Sequence, residues 1–172
     1  MVMKMSEKAL YLLATFDKET QAVFAGYYDL LLRSGFVGTQ TKGIPYHITL
    51  GSQSVAFEDQ LLVELDTCSN MACIDIHLSH IGLFGLNVVF IEPNMNFELL
   101  SLQRKFFPDC GYGIHPWTAH ATLLIEEPEA ILKALPILAR EFKPFNARIE
   151  SVDLYEFFPA RFIKSIRLNS AI

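Results

Sequence analysis

A chain of 172 residues that is 51% hydrophobic and 12% aromatic, with only 19% of its residues charged, holds enough apolar material for one core and too little charge for a disordered segment. Its formal net charge of −5 excludes a long nucleic-acid track, because such binding rests on neutralising many phosphates with Lys and Arg. The three cysteines, Cys68, Cys73 and Cys110, are odd in number and lack paired ligand spacing, so neither a disulfide framework nor a zinc ribbon is expected; they read as small buried hydrophobes in a reducing compartment.

The predicted elements begin with a strand over 8–16. Its apolar run is short, has no small-residue cleavage site and leads straight into Asp17-Lys18-Glu19, the pattern of a first strand and not of a signal peptide. A helix follows over 17–34, opened by Asp17 and closed by Gly35, and Gly35, Gly38 and Gly43 then make a loop. The chain continues with a strand over 44–51, a helix over 56–67, and a hairpin of 72–84 with 87–92 that turns near Gly85. A third helix covers 94–107, a turn-rich loop 108–116, a strand 117–125, a helix 128–142, and a closing hairpin 145–157 with 161–168 turns at Pro159. The apolar stretch 81–91 is broken by Gly82, Gly85 and Asn87 and is too short to span a bilayer, so no membrane segment and a cytoplasmic location are expected. No linker interrupts residues 1–172, which read as one domain.

The same unit occurs nearly twice. His47-Ile48-Thr49-Leu50 lies 37 residues before Phe84, and His120-Ala121-Thr122-Leu123 lies 35 before Tyr155. Each half is a strand carrying His-x-Thr-Leu, a helix, and a hairpin with an apolar-aromatic arm. The pattern predicts an α+β fold of two similar lobes, each an antiparallel sheet backed by helices, about a pseudo-twofold axis with a cleft between them.

One His-x-Thr-Leu is a weak signal, but two in a chain with five His and eight Thr, at matched places in a repeat, rarely co-occur by chance. Residues two apart on a strand share a face at about 7 Å, so His47 with Thr49, and His120 with Thr122, look into one space. Two imidazoles and two hydroxyls around a common centre meet the needs of phosphodiester hydrolysis: a base for water, an acid for the leaving oxygen, and donors for the non-bridging oxygens. Imidazole titrates near neutrality, so the pair needs no cofactor and predicts a bell-shaped pH profile. Around this centre Tyr11, Tyr46, Phe84 and Trp117 are candidate stacking aromatics, His115 a candidate phosphate contact, and Arg161 the best cation for an approaching anion. Each has a plainer alternative in core packing or surface pairing. A metal site using His77, His80 and His115 is disfavoured, because His77 and His80 point to opposite strand faces and no carboxylate stands at ligand spacing with either motif histidine.

The two tetrapeptides in their duplicated frame resemble the paired signature of the two-histidine (2H) phosphoesterase superfamily, nearest to its 2′-5′ RNA ligase and RNA cyclic phosphodiesterase branch. The resemblance spans nearly the whole chain, with its specificity in the motifs. It implies a bilobal fold with both motifs in a central cleft, metal-independent action on 2′,3′-cyclic phosphates of RNA ends or nucleotides, ligation in reverse, and site roles for His47, Thr49, His120 and Thr122. Many members begin the first strand with a basic residue, whereas this chain reads Ala9-Leu10-Tyr11-Leu12-Leu13-Ala14-Thr15-Phe16, which leaves room for a small cyclic nucleotide as partner. The alternative from another class is a nucleotide- or RNA-end-binding protein that has the same fold and no turnover. Oligomeric state is not encoded in any feature of the chain.

Overall fold

The computed structural model describes residues 8–108 and 117–170. Strand β1 (Ala9–Phe16) is apolar on both faces because it runs through the middle of the sheet, with Leu10, Leu12 and Ala14 buried on one side and Leu13 and Thr15 on the other. Helix α1 (Lys18–Arg33) starts where the Asp17 carboxylate accepts the Thr20 N–H at 2.9 Å. It ends at Ser34, and Gly35 then takes φ +94°, a region that favours glycine.

Strand β2 (His47–Ser54) begins three residues later than the sequence pattern predicts, since Pro45 has no N–H to place in a ladder, and runs on past Gly51. Short 3-10 turns flank α2 (Glu58–Asp66), after which β3 (Ile74–Phe84) and β4 (Val88–Pro93) form the expected hairpin through Gly85, at φ +56°. Asn96 caps α3 (Phe97–Phe106) by accepting the Leu99 N–H at 2.9 Å. Strand β5 (Ala121–Ile125) is shorter than predicted, because Trp117 to His120 are irregular. Pro128 opens α4 (Pro128–Glu141), where its missing N–H costs nothing. Pro136 is tolerated inside this helix, as the carbonyl it leaves without a partner belongs to the exposed Leu132. Strands β6 (Phe145–Phe157) and β7 (Arg161–Arg167) close the chain as the last hairpin.

The class is α+β, with strand order β2-β1-β6-β3-β4-β5 and β7 on the free edge of β6, all pairs antiparallel. The two lobes are the wings β2-β1-β6-β7 and β3-β4-β5. They run on as one hydrogen-bonded sheet, because Ile74 to Leu78 of β3 register against Ile149 to Phe145 of β6. The sheet curls until its two ends, β2 and β5, lie alongside each other. Helix residues Phe24, Leu31, Leu61, Leu65, Leu99, Leu102, Ile131 and Leu138 join the sheet's inner residues in one buried cluster. Each such leucine contributes about 1.5–3 kcal/mol by burial, which makes this core the scaffold against which the two motif strands are held. Among the described residues, no helix is long and apolar enough to cross a membrane.

Candidate active site

His47 is the first residue of β2. Alternation sends Ile48 and Leu50 into the core and leaves His47 and Thr49 on the other face, both partly exposed. His120 immediately precedes β5, where Ala121 and Leu123 are buried and His120 and Thr122 again share the open side. Both imidazoles are tethered in the same way: Nδ1 of His47 donates to the Pro45 carbonyl at 2.7 Å, and Nδ1 of His120 to the Thr118 carbonyl at 2.7 Å. A carbonyl can only accept, so each neutral ring keeps its proton on Nδ1 and offers the lone pair of Nε2.

Neighbouring contacts hold the two motifs in place. Gln21 clamps the backbone of Tyr46 in both directions, accepting its N–H at 2.8 Å and donating to its carbonyl at 2.7 Å, which fixes the residue before His47. The Trp117 indole N–H donates to the Thr49 carbonyl at 2.9 Å and so ties the approach to β5 onto β2. A pocket of about 280 Å³ opens where the ends of the sheet meet, and its walls include His47 and Thr49 from one motif and Thr122 from the other.

The surroundings of the two histidines differ. Beside His47 the sheet carries polar groups: Thr49, Asp153 and Ser165 share one row with Leu13 across β2, β1, β6 and β7. Asp153 is buried and accepts from Thr15 at 2.6 Å and from Ser165 at 2.5 Å. Beside His120 the sheet is aromatic, with the Phe84 ring edge-on at 4.6 Å and the Phe90 ring at 5.2 Å. Burial pushes the His47 imidazole below its usual range; the Pro45 carbonyl and Asp153 oppose this, and the charge of His120 adds to it. Burial also lowers His120, opposed by the Thr118 carbonyl and by Glu92. Each histidine therefore has one carboxylate in its field and feels a low-dielectric wall.

Other residues singled out from the sequence fall in several places. Tyr11 lines the pocket, packed edge-on against Phe157 at 5.2 Å. Tyr46 lines it too, while its ring stacks on Phe24 at 4.9 Å and its hydroxyl is pushed up to about 12 by burial. Phe84 packs on His120 and Trp117 on the core, so both position motif residues. β7 places Arg161 opposite Glu156, on the strand face away from Tyr155, where Glu156 and Glu58 bind it at 2.9 and 3.1 Å. Arg161 is not among the residues that line the pocket, and its partner Glu58 lies 103 residues away in sequence. His115 and Cys110 lie outside the described residues; Cys68 is buried, as expected, and its thiol is raised to about 11 by burial.

His77 bonds Asn146 and His80 bonds Ser79, and among the described residues no three His, Cys, Asp or Glu converge as metal ligands. A wider groove of about 1040 Å³, bordered by Asp75, His77 and Arg148, holds no motif residue. Sequence reasoning missed Asp153, Phe157 and Phe158. Asp153 alone carried a signal, as an acid in the otherwise apolar run Val152-Asp153-Leu154.

No protein-family model and no curated protein matches the sequence. Solved structures do match the fold. The apo form of E. coli LigT aligns over 96% of this chain and 100% of its own at TM-score 0.64 and 16% identity. TT0787 of Thermus thermophilus aligns over 95% and 100% at 0.62 and 14%. E. coli LigT complexed with ATP aligns over 95% and 98% at 0.62 and 17%. The chain therefore shares the fold of LigT and TT0787.

Proposed function

We propose that the chain is a 2H phosphoesterase that opens 2′,3′-cyclic phosphates of nucleotides or RNA ends by acid-base catalysis at His47 and His120. The observation that carries this reading is the matched tethering of the two rings, each held through Nδ1 by the carbonyl two residues before it, with Nε2 left for chemistry. A binding protein has no need of two acid/base groups prepared in the same tautomer. The fold likeness supports it, and so do the LigT structures with ATP, 3′-AMP and phosphate.

In the proposed step, Nε2 of one histidine takes a proton from water as the oxygen attacks phosphorus. Nε2–H of the other gives its proton to the departing ribose oxygen as the P–O bond breaks, leaving a phosphate monoester. The hydroxyls of Thr49 and Thr122 donate to the non-bridging oxygens, where negative charge grows. Because the base ends protonated and the acid neutral, both exchange a proton with solvent before the next turnover. With a hydroxyl in place of water as the nucleophile, the same two proton transfers join that hydroxyl to the phosphorus as the ring P–O bond breaks, which is a ligation.

The test is hydrolysis of 2′,3′-cyclic nucleotides and cyclic-phosphate RNA ends in EDTA by the wild type, His47→Ala and His120→Ala. Turnover that survives EDTA and drops by about 10²–10⁴-fold in each variant is expected. Turnover that EDTA abolishes and a divalent ion restores identifies a metallohydrolase, and binding without turnover identifies a nucleotide-binding protein.

A further inference from the structure

The strands that carry the two motifs are the outer ends of the sheet path, and among the described residues no ladder joins β2 to β5. Besides the Trp117 bond to the Thr49 carbonyl, the gap is spanned by residues 34–46, which connect α1 to β2. The middle of this stretch pairs with Ile125, the last residue of β5, in both directions. The Thr39 N–H donates to the Ile125 carbonyl at 2.7 Å, and the Ile125 N–H donates to Oε1 of Gln40 at 3.1 Å. The Gly38 N–H adds a bond to the Glu126 carboxylate at 3.2 Å. On its other side Ile125 pairs with Val88 of β4.

The local chain is shaped for this contact. Gly38 lies at φ +76°, and a Cβ there would stand 2.0 Å from Oε1 of Gln40 and 2.7 Å from its Cδ, so the bare glycine is what lets the amide pack against the backbone and reach Ile125. The donor is a backbone N–H, which fixes the amide with its oxygen toward β5. Gln40, Thr41, Ile44 and Pro45 form part of the pocket wall. Lys42 holds that wall to α1, its ammonium donating to the Tyr28 hydroxyl at 2.7 Å and to the Val37 carbonyl at 2.8 Å. Near the end of the stretch stands the Pro45 carbonyl, the acceptor that keeps the His47 proton on Nδ1. One short segment therefore bonds both the end of the second motif strand and the ring of the first motif histidine. Thr122 lies three residues before Ile125, about 10 Å along the strand.

We infer that Gln40 is a positioning residue for the acid-base pair: through its bond to the Ile125 N–H it seats residues 38–45 on β5, and this seat holds the Pro45 carbonyl where it fixes the His47 ring against the second motif. The inference rests on the acid-base reading above and adds a residue to it. Its effect falls on His47 and not on His120, whose tether is the Thr118 carbonyl, outside this stretch.

The experiment uses Gln40→Met, which keeps the length of the side chain and removes the acceptor, and Gln40→Glu, which restores an acceptor oxygen. It measures hydrogen exchange of the Ile125 amide, the imidazole nitrogen-15 shifts of both histidines at a pH where the rings are neutral, and kcat and KM for adenosine 2′,3′-cyclic phosphate. In Gln40→Met the Ile125 amide exchanges faster, and His47 shows a mixture of its two neutral tautomers while His120 keeps one. The value of kcat falls by about 10–10²-fold, the scale of a small misplacement of a reacting group. Gln40→Glu returns the amide protection, the single tautomer and most of kcat; the charge it adds beside an anionic substrate shows as a higher KM. Gly38→Ala displaces the amide from Ile125 by contact, so it repeats the His47 change, and adding Gln40→Met to it lowers kcat no further. An unchanged His47 in Gln40→Met, both histidines altered alike, or a kcat that Gln40→Glu does not restore overturns the inference. If the wild type turns over no cyclic phosphate, the acid-base reading fails, and the Ile125 exchange with the two sets of nitrogen-15 shifts still decides whether Gln40 seats the His47 ring.

Discussion

Thr15, the β1 residue that pairs with His47 of β2, donates a 2.6 Å hydrogen bond to the buried carboxylate of Asp153 on β6. With Ser165 donating to the other oxygen, the carboxylate is fixed and its charge favours a proton on His47. Asp153→Asn keeps the volume and removes that charge, so His47 titrates at lower pH than in the wild type. Imidazole NMR titration reads this directly. The limb of the kcat/KM profile that moves down identifies the role of His47: the basic limb if it is the acid, the acidic limb if it is the base. No movement in either limb or in the NMR titration refutes the link. Thr15→Val leaves one carboxylate oxygen without its donor and costs about 1–3 kcal/mol of stability, measured by urea unfolding.

The pH optimum follows from the two histidines together. Both are held below the ordinary 6.5 by burial, and activity in the free enzyme needs one neutral and one protonated ring. The maximum of kcat/KM lies midway between two lowered values and is therefore expected below pH 6.5. Once a phosphodiester binds, its negative charge favours the protonated ring, so the basic limb of kcat lies at higher pH than that of kcat/KM. An optimum of kcat/KM above pH 7 contradicts this account.

Much of the fold was legible because it is written in short periods: Asp17 and Gly35 mark the ends of α1, Gly85 and Pro159 mark the turns, and His-x-Thr-Leu alternates on both motif strands. What stayed hidden depends on register between distant strands. Asp153 is visible as an acid in an apolar run, but its donors Thr15 and Ser165 lie 138 and 12 residues away, and nothing local says which face it shares with His47. Arg161 looked available at a turn, whereas strand pairing turns it to the face of Glu156. Phe158 sits in the last turn, where an exposed aromatic reads as chance until the curl of the sheet brings it to the pocket.

Thr49 and Thr122 test the oxygen-binding role. Both are partly exposed on the motif strands, and valine matches threonine in shape and strand preference. Thr49→Val and Thr122→Val are expected to leave thermal unfolding within a few degrees of wild type and to lower kcat by about 10²–10³-fold each, the usual loss for one donor at a developing oxyanion. Serine at either position should restore most of the rate. If valine lowers stability and rate in proportion, the hydroxyls are structural.

Gly82 is where the aromatic support of His120 is most sensitive. A Cβ there would stand 2.1 Å from Cε2 of Phe90 and 2.4 Å from its Cζ. Phe90 is buried, and its ring is bounded by Phe84 at 4.4 Å and by His120 at 5.2 Å, so it cannot retreat without moving one of them. Gly82→Ala is therefore expected to cost about 1–3 kcal/mol through overpacking and to lower kcat in the protein that remains folded. Adding Phe90→Leu removes the ring atoms in conflict and should recover stability more fully than rate, because His120 then loses one of its two aromatic walls. Unfolding curves and kcat for the single and double variants separate these effects; unchanged values in Gly82→Ala would mean that the Phe90 ring is free to move and does not position His120.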